Sequence, residues 1–219
     1  MSSYISLSGV CKSYGQHKVL DMVSVSFEQG KIHGIIGRNG SGKTQLFKVI
    51  CGYVIPDMGE VIVQNRKIGK EADYPESLGL LIENPGFLPG YSGFFNLQML
   101  AAMNTKLHKK DLYRCLELVG LKNATNKKVG KYSLGMKQRL GIAQAILGDP
   151  DLLILDEPFN GLDKTGVNEI RNLLKSFVDN GRTILLASHN PYDISLLCET
   201  VHEMDAGKIT ECTKSLFHN

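Results

Sequence analysis

Ile32-His33-Gly34-Ile35-Ile36-Gly37-Arg38-Asn39-Gly40-Ser41-Gly42-Lys43-Thr44-Gln45-Leu46-Phe47-Lys48-Val49-Ile50 decides the fold. An apolar run of strand length enters a glycine-rich loop and a helical apolar pattern leaves it, the context of a phosphate-binding loop. Gly37, Gly40 and Gly42 let the backbone curl its N–H groups inward, where side chains would obstruct a phosphate. The positive end of the following helix adds to this nest. Lys43 is placed to reach β- and γ-phosphates as a point charge, and the Thr44 hydroxyl to ligate Mg²⁺. The pattern predicts binding of a nucleoside triphosphate.

The composition sets bounds on the rest. With 219 residues, 42% of them hydrophobic, the chain is expected to form one compact α/β domain with room for an inserted subdomain. A formal charge of +3 is too weak a bias to argue for nucleic acid. The five cysteines are widely spaced and include no CxxC, so neither disulfides nor zinc is indicated; Cys51 and Cys115 read as small core hydrophobes. No stretch approaches the ~20 apolar residues of a membrane span, and the start carries no basic segment ahead of an apolar one. A cytoplasmic chain is expected, with any membrane function supplied by a partner.

Ahead of the loop, residues 4–10 and 19–27 alternate polar with apolar, as half-exposed antiparallel strands do, with Tyr14-Gly15 in the turn between them. An aromatic there could stack on a purine, although most turn tyrosines are simply half-buried packing residues. Leu78 to Ile82 reads as a buried strand running into a loop from Glu83 to Tyr91 whose prolines and glycines exclude helix. Phe87, Leu88 and Tyr91 in that loop are either a contact surface or residues folded onto their own core. From Phe94 to Val119 the period becomes helical (Leu97, Leu100, Ala101, then Leu112, Cys115, Leu116, Val119), which reads as an all-helical insertion between about 87 and 140.

Ser133 is placed to cap a helix through Leu140, Ile142, Ala143 and Ala145; that start is a second potential anion site or an ordinary cap. Asp151 to Pro158 is a buried strand ending in Asp156 and Glu157, and carboxyl ends of parallel strands face the ligand crevice. Asp156 would hold Mg²⁺ through water and Glu157 would orient or deprotonate the attacking water. Asn160 to Asp163 turns into a helix, and the strand Thr183 to Ala187 ends beside His189, where a donor could reach a γ-phosphate. The other histidines show no ligand spacing.

In their order, the loop at 37–44, Ser133-Leu134-Gly135-Met136-Lys137-Gln138-Arg139, Leu152 to Pro158, Asn160 to Asp163 and Ser188-His189 make a series that resembles the ATP-binding subunits of ABC transporters, over nearly the whole chain. The resemblance implies an α/β P-loop NTPase core at 1–86 and 141–219, with an antiparallel β subdomain and an all-helical subdomain at 87–140. It implies ATP binding by Tyr14, Gly37, Asn39, Gly40, Ser41, Gly42, Lys43, Thr44 and Gln45, and Mg²⁺ binding by Thr44, Asp156 and Glu83. Glu157 takes the place of the catalytic base and His189 that of the switch histidine. Ser133 and Gly135 match the signature that closes on a partner subunit's ATP, and Asp163 a dimer contact.

The chain departs from the family pattern at Arg38, Gln45, Glu83, Leu134 and Met136; Glu83 replaces a glutamine and adds negative charge beside the triphosphate. The segments Glu83 to Phe87 and Tyr132 to Arg139 look most like ATPases of bacterial exporters for resistance or immunity to peptide antibiotics. Expected partners are an integral membrane permease on a separate chain and a second ATPase subunit, in a homodimer or heterodimer on the inner face of the membrane. The other readings are an ABC-class ATPase without a membrane partner and a module that binds ATP with little hydrolysis.

Overall fold

The computed structural model describes residues 3–83, 85–103 and 107–212. The chain opens with an antiparallel pair, β1 (Ile5–Tyr14) and β2 (His17–Phe27), crosses to β3 (Ile32–Ile36), and passes through the glycine-rich loop into α1 (Lys43–Ile50). It returns to the first sheet as β4 (Met58–Val63) and β5 (Arg66–Lys67), then enters the second sheet as β6 (Leu78–Leu81). Three helices follow, α2 (Gly93–Ala101), α3 (Lys109–Leu118) and α4 (Leu134–Ala145). The chain closes as β7 (Leu152–Asp156), α5 (Lys164–Asp179), β8 (Thr183–Ala187), α6 (Pro191–Leu197), β9 (Thr200–Asp205) and β10 (Lys208–Cys212).

The strands make a four-stranded sheet, β2-β1-β4-β5, and a six-stranded sheet, β10-β9-β3-β8-β7-β6. The first is antiparallel, as the alternation at 4–10 and 19–27 predicts, with Ile5 opposite Phe27 and Tyr14 opposite His17. In the second, β3, β6, β7, β8 and β9 run parallel. The central strands are covered on both faces, which explains why Leu152-Leu153-Ile154-Leu155 and Thr183-Ile184-Leu185-Leu186-Ala187 are continuous apolar runs. Leu152, Ile154, Leu185 and Ala187 pack with α1 and the inner face of the antiparallel sheet. Leu153, Leu155, Ile184 and Leu186 share the opposite core with α4, α5 and α6.

The helical pattern from Phe94 to Val119 resolves into two helices, α2 and α3, the second opened by the Asp111 carboxylate, which accepts from the His108 N–H at 2.8 Å. Leu100, expected on the apolar face, does lie on the side of α2 that carries the buried Gly93, Asn96, Leu97 and Ala101, yet it is 39% exposed. The α2–α3 core (Leu97, Leu112, Leu116, Val119) is continuous with that beneath α4. Helix α4 runs through residue 140, so the expected boundary there falls inside one helix.

Two histidines lie inside the sheet region, around Phe27. The His33 and His202 rings stand 5.2 and 5.1 Å from it and are 1% and 4% exposed. His33 Nε2–H donates to Glu28 O at 2.8 Å, while His202 Nδ1 has no partner among the described residues. Burial pushes both pKa values below the ordinary histidine value. Such groups are neutral when folded and take up protons first when unfolded, so their contribution to stability is full above the unfolded pKa near 6.5 and is lost as pH falls below it. Stability to urea should therefore fall between pH 7.5 and 5.5, and His202→Leu should make the fall shallower. An unchanged slope in that variant would remove His202 from the account.

Candidate functional site

The site forms where β3, β6, β7 and β8 end together beneath the N-terminus of α1. The loop is held by packing as much as by its own turns. Gly37 has φ +143°, and a Cβ there would fall 2.2 Å from Met204 O; Gly42 has φ +111°, with Val19 O at 2.8 Å. These two glycines are demanded by the neighbouring β9 and β2 backbones. Of the three loop glycines, only Gly40 would have its Cβ in open space, and Gly40 lines the cleft. The sequence-level reason, clearance for a phosphate, therefore holds at Gly40, while 37 and 42 are glycine for a tertiary reason.

Lys43 is 7% exposed and lies across the loop, donating to Gly37 O at 2.8 Å and Arg38 O at 3.1 Å. Ser41 Oγ is buried with no partner among the described residues. Thr44 Oγ1 donates to Asp156 Oδ2 at 2.6 Å, joining α1 to the end of β7. The next residue, Glu157, has φ +52°, a left-handed conformation costly for a residue with a Cβ and found where surrounding structure over-determines it. Its N–H donates to Ala187 O at 2.9 Å, and its Oε2 lies 2.8 Å from His189 Nδ1. A carboxylate only accepts, so His189 carries its hydrogen on Nδ1 in this arrangement.

Glu83 ends β6 in the same way, with φ +58°, and its Oε1 accepts from Lys48 Nζ at 2.6 Å. Lys48 stands one turn along α1 from Thr44, so the extra charge expected of Glu83 is met by a lysine that sequence reading did not assign. The cleft, of about 570 Å³, is lined by Asn39, Gly40, Gly42, Lys43, Thr44, Gln45, Glu83, Asp156 and Glu157, all expected. It is also lined by His17, Val19, Gln138 and Asn160, which were not. His17 was legible in hindsight, since a tight turn at Gly15-Gln16 sets it opposite Tyr14. Gln138 had a signal too: it falls on the buried stripe of α4 with Gly141, Ile142 and Ala145, where an uncharged polar residue asks for a partner.

Other expected residues stand apart from this cleft. The Tyr14 ring is half exposed, its hydroxyl donating to Gln45 Oε1 at 3.2 Å and the Lys12 ammonium lying 5.6 Å from its centroid. Ser133 caps α4 by accepting from Met136 N–H at 3.2 Å, and Gly135 packs against Gly161 O. Asp163 caps α5 by accepting from Gly166 N–H at 2.8 Å, which gives it a local role whatever else it touches. Of the apolar residues in the loop, Phe87 packs against the core, whereas Leu88 and Tyr91 are 40% and 51% exposed, so the two readings of that loop divide between its residues. Asn84 lies outside the described residues.

The donor set fits a hard divalent cation. Thr44 and Asp156 offer oxygen ligands side by side, and Mg²⁺ in phosphate sites takes one or two protein oxygens, filling the rest of its octahedron with water and phosphate. Three carboxylates (Glu83, Asp156, Glu157) face two lysines (Lys43, Lys48), a balance that accepts a triphosphate only together with a cation. The arrangement sets the Glu157 carboxylate beside a glycine loop whose N–H groups could cradle a phosphate, a combination that suits phosphoryl transfer to water.

Residues 20–160 match the family pattern described as ABC transporter. An uncharacterised ABC transporter ATP-binding protein, YybJ of Bacillus subtilis, is 39% identical over 213 residues, covering 97% of this chain and 98% of that one. The bacitracin transport ATP-binding protein BcrA of Enterococcus faecalis is 39% identical, over 96% of this chain and 69% of that one. The lantibiotic transport ATP-binding protein SrtF of Streptococcus pyogenes is 33% identical, over 98% and 96%. Among solved structures, a dimeric ATP-binding cassette in a post-hydrolysis state bound to ADP and Pi superposes with a TM-score of 0.87 at 23% identity, covering 96% of this chain and 98% of that one.

Proposed function

Since the chain belongs to the ABC transporter ATP-binding family and is an ATPase that works on ATP with Mg²⁺, we propose that it powers export of a peptide antibiotic by a separate membrane permease, as one of two ATPase subunits closing on two nucleotides. The supporting observation is the Thr44–Asp156 and Glu157–His189 pairing at one end of the parallel sheet, beside the glycine loop. Lys43 is placed to leave the loop carbonyls for the β- and γ-phosphates, and the Thr44 hydroxyl and Asp156 carboxylate would hold Mg²⁺, which would supply charge neutralisation for the triphosphate. Glu157 takes a proton from a water whose oxygen bonds to the γ-phosphorus; the bond to the bridging oxygen breaks, and ADP and inorganic phosphate leave.

His189 orients Glu157 through Nδ1. With a hydrogen there, the neutral ring presents a lone pair at Nε2, so donation to a γ-phosphoryl oxygen calls for the protonated ring or a turn away from Glu157. Ser133 and Gly135, at the N-terminus of a 12-residue helix, meet the nucleotide of the second subunit, and Asp163 lies along the same contact. Among the described residues no helix is long and apolar enough to cross a membrane, and the scheme places the permease on a separate chain. Bacitracin and lantibiotic transport in the relatives' names supports the substrate class. The test is to purify membranes with the tagged chain and its co-expressed permease, then measure stimulation of phosphate release by candidate peptides. Unstimulated turnover with every peptide class, or no co-purifying membrane protein, overturns the export reading.

A further inference from the structure

The Glu157 peptide sits at a junction that the catalytic scheme does not use. Its carbonyl oxygen accepts from Gln138 Nε2 at 3.0 Å and from Asn160 N–H at 3.3 Å. Gln138 is 9% exposed and belongs to α4, whose first turn is capped by Ser133 and packed through Gly135 on Gly161 O. One residue further on, Arg139 donates to Val119 O at 2.7 Å and pairs with Glu169 at 2.7 Å, so that stretch of the helix is held to α3 and α5. Glu157 is in the left-handed region, where its backbone stays only if its neighbours hold it. Gln138 is the side chain that joins its main chain to α4.

We infer that Gln138 is a positioning residue that links the two nucleotide sites: the end of α4 facing the second subunit's nucleotide, and the Glu157 carboxylate that acts on this chain's own. A displacement of α4 is carried through one partly buried hydrogen bond to the peptide that aims the base. The inference rests on the two-subunit reading above. The coupling element is a single rigid helix, so nothing between the sites needs to bend.

The test uses Gln138→Met, which keeps length and helix propensity and removes the donor. Turnover should fall about tenfold, the scale of one hydrogen bond lost from a transition-state arrangement, with the KM for ATP unchanged. ATP-driven dimerisation, followed by light scattering in the Glu157→Gln background, should be the same with and without Gln138→Met. In Gln138→Glu the donor returns only when the carboxyl is protonated, so its turnover relative to the unsubstituted chain should rise as pH is lowered from about 8 to about 6, while the Gln138→Met ratio stays flat. Turnover of Gln138→Met within twofold of the unsubstituted chain overturns the inference. So does loss of the ATP-driven dimer in the double variant, which would make Gln138 part of the contact itself. If Glu157→Gln alone fails to dimerise with ATP, it is the two-subunit reading that has failed.

Discussion

Glu157→Gln is expected to bind ATP as the unsubstituted chain does and to release phosphate about 100-fold or more slowly, the effect of removing a general base. The substitution keeps volume and hydrogen-bonding capacity, so the left-handed backbone at 157, the Glu157 N–H to Ala187 O bond and the Gln138 contact all survive. What goes is the capacity to take a proton from water. The amide oxygen can still accept from His189 Nδ1, so the ring should stay in place. Single-turnover measurement with radiolabelled ATP separates chemistry from product release. Turnover close to normal would show that another group takes the proton, and Asp156, already engaged with Thr44, would be the next to examine.

Lys43→Ala is expected to abolish tight nucleotide binding in a direct titration. The lysine is buried against the loop and its ammonium donates to two loop carbonyls, neutralising the carbonyl ends of the nest. Removing it deletes the charge that meets the triphosphate and leaves those carbonyls facing the phosphates. Fold stability should change less than affinity, because Gly37 and Gly42 rather than Lys43 determine how the loop packs on β9 and β2. A thermal melt near that of the unsubstituted chain with lost binding is the expected pair of results; undiminished binding would remove Lys43 from the site.

The strand–loop–helix order was legible because each part has a local cause: a buried parallel strand is a short apolar run, α1 carries its own period, and the loop its glycines. Asp156 and Glu157 were legible for a similar reason, since two carboxylates after four buried aliphatic residues have one sensible place in a parallel sheet. The exposure of Leu100 was not, because which side of a helix is covered depends on neighbours distant in sequence. Gln138 and Lys48 escaped assignment for the same reason: each acquires meaning from a single partner, Glu157 O at 3.0 Å and Glu83 Oε1 at 2.6 Å, brought near by sheet order.

By itself the sequence determined the class of fold, the place of the phosphate loop and the two acids, and the kind of ligand they suit, because these follow from local period, glycine and charge. Only the tertiary structure decided why Gly37 and Gly42 are glycine, which cation answers Glu83, and what fixes the Glu157 backbone. Those depend on distances of about 3 Å between residues far apart in the chain, which the packing of two sheets and a helix brings together.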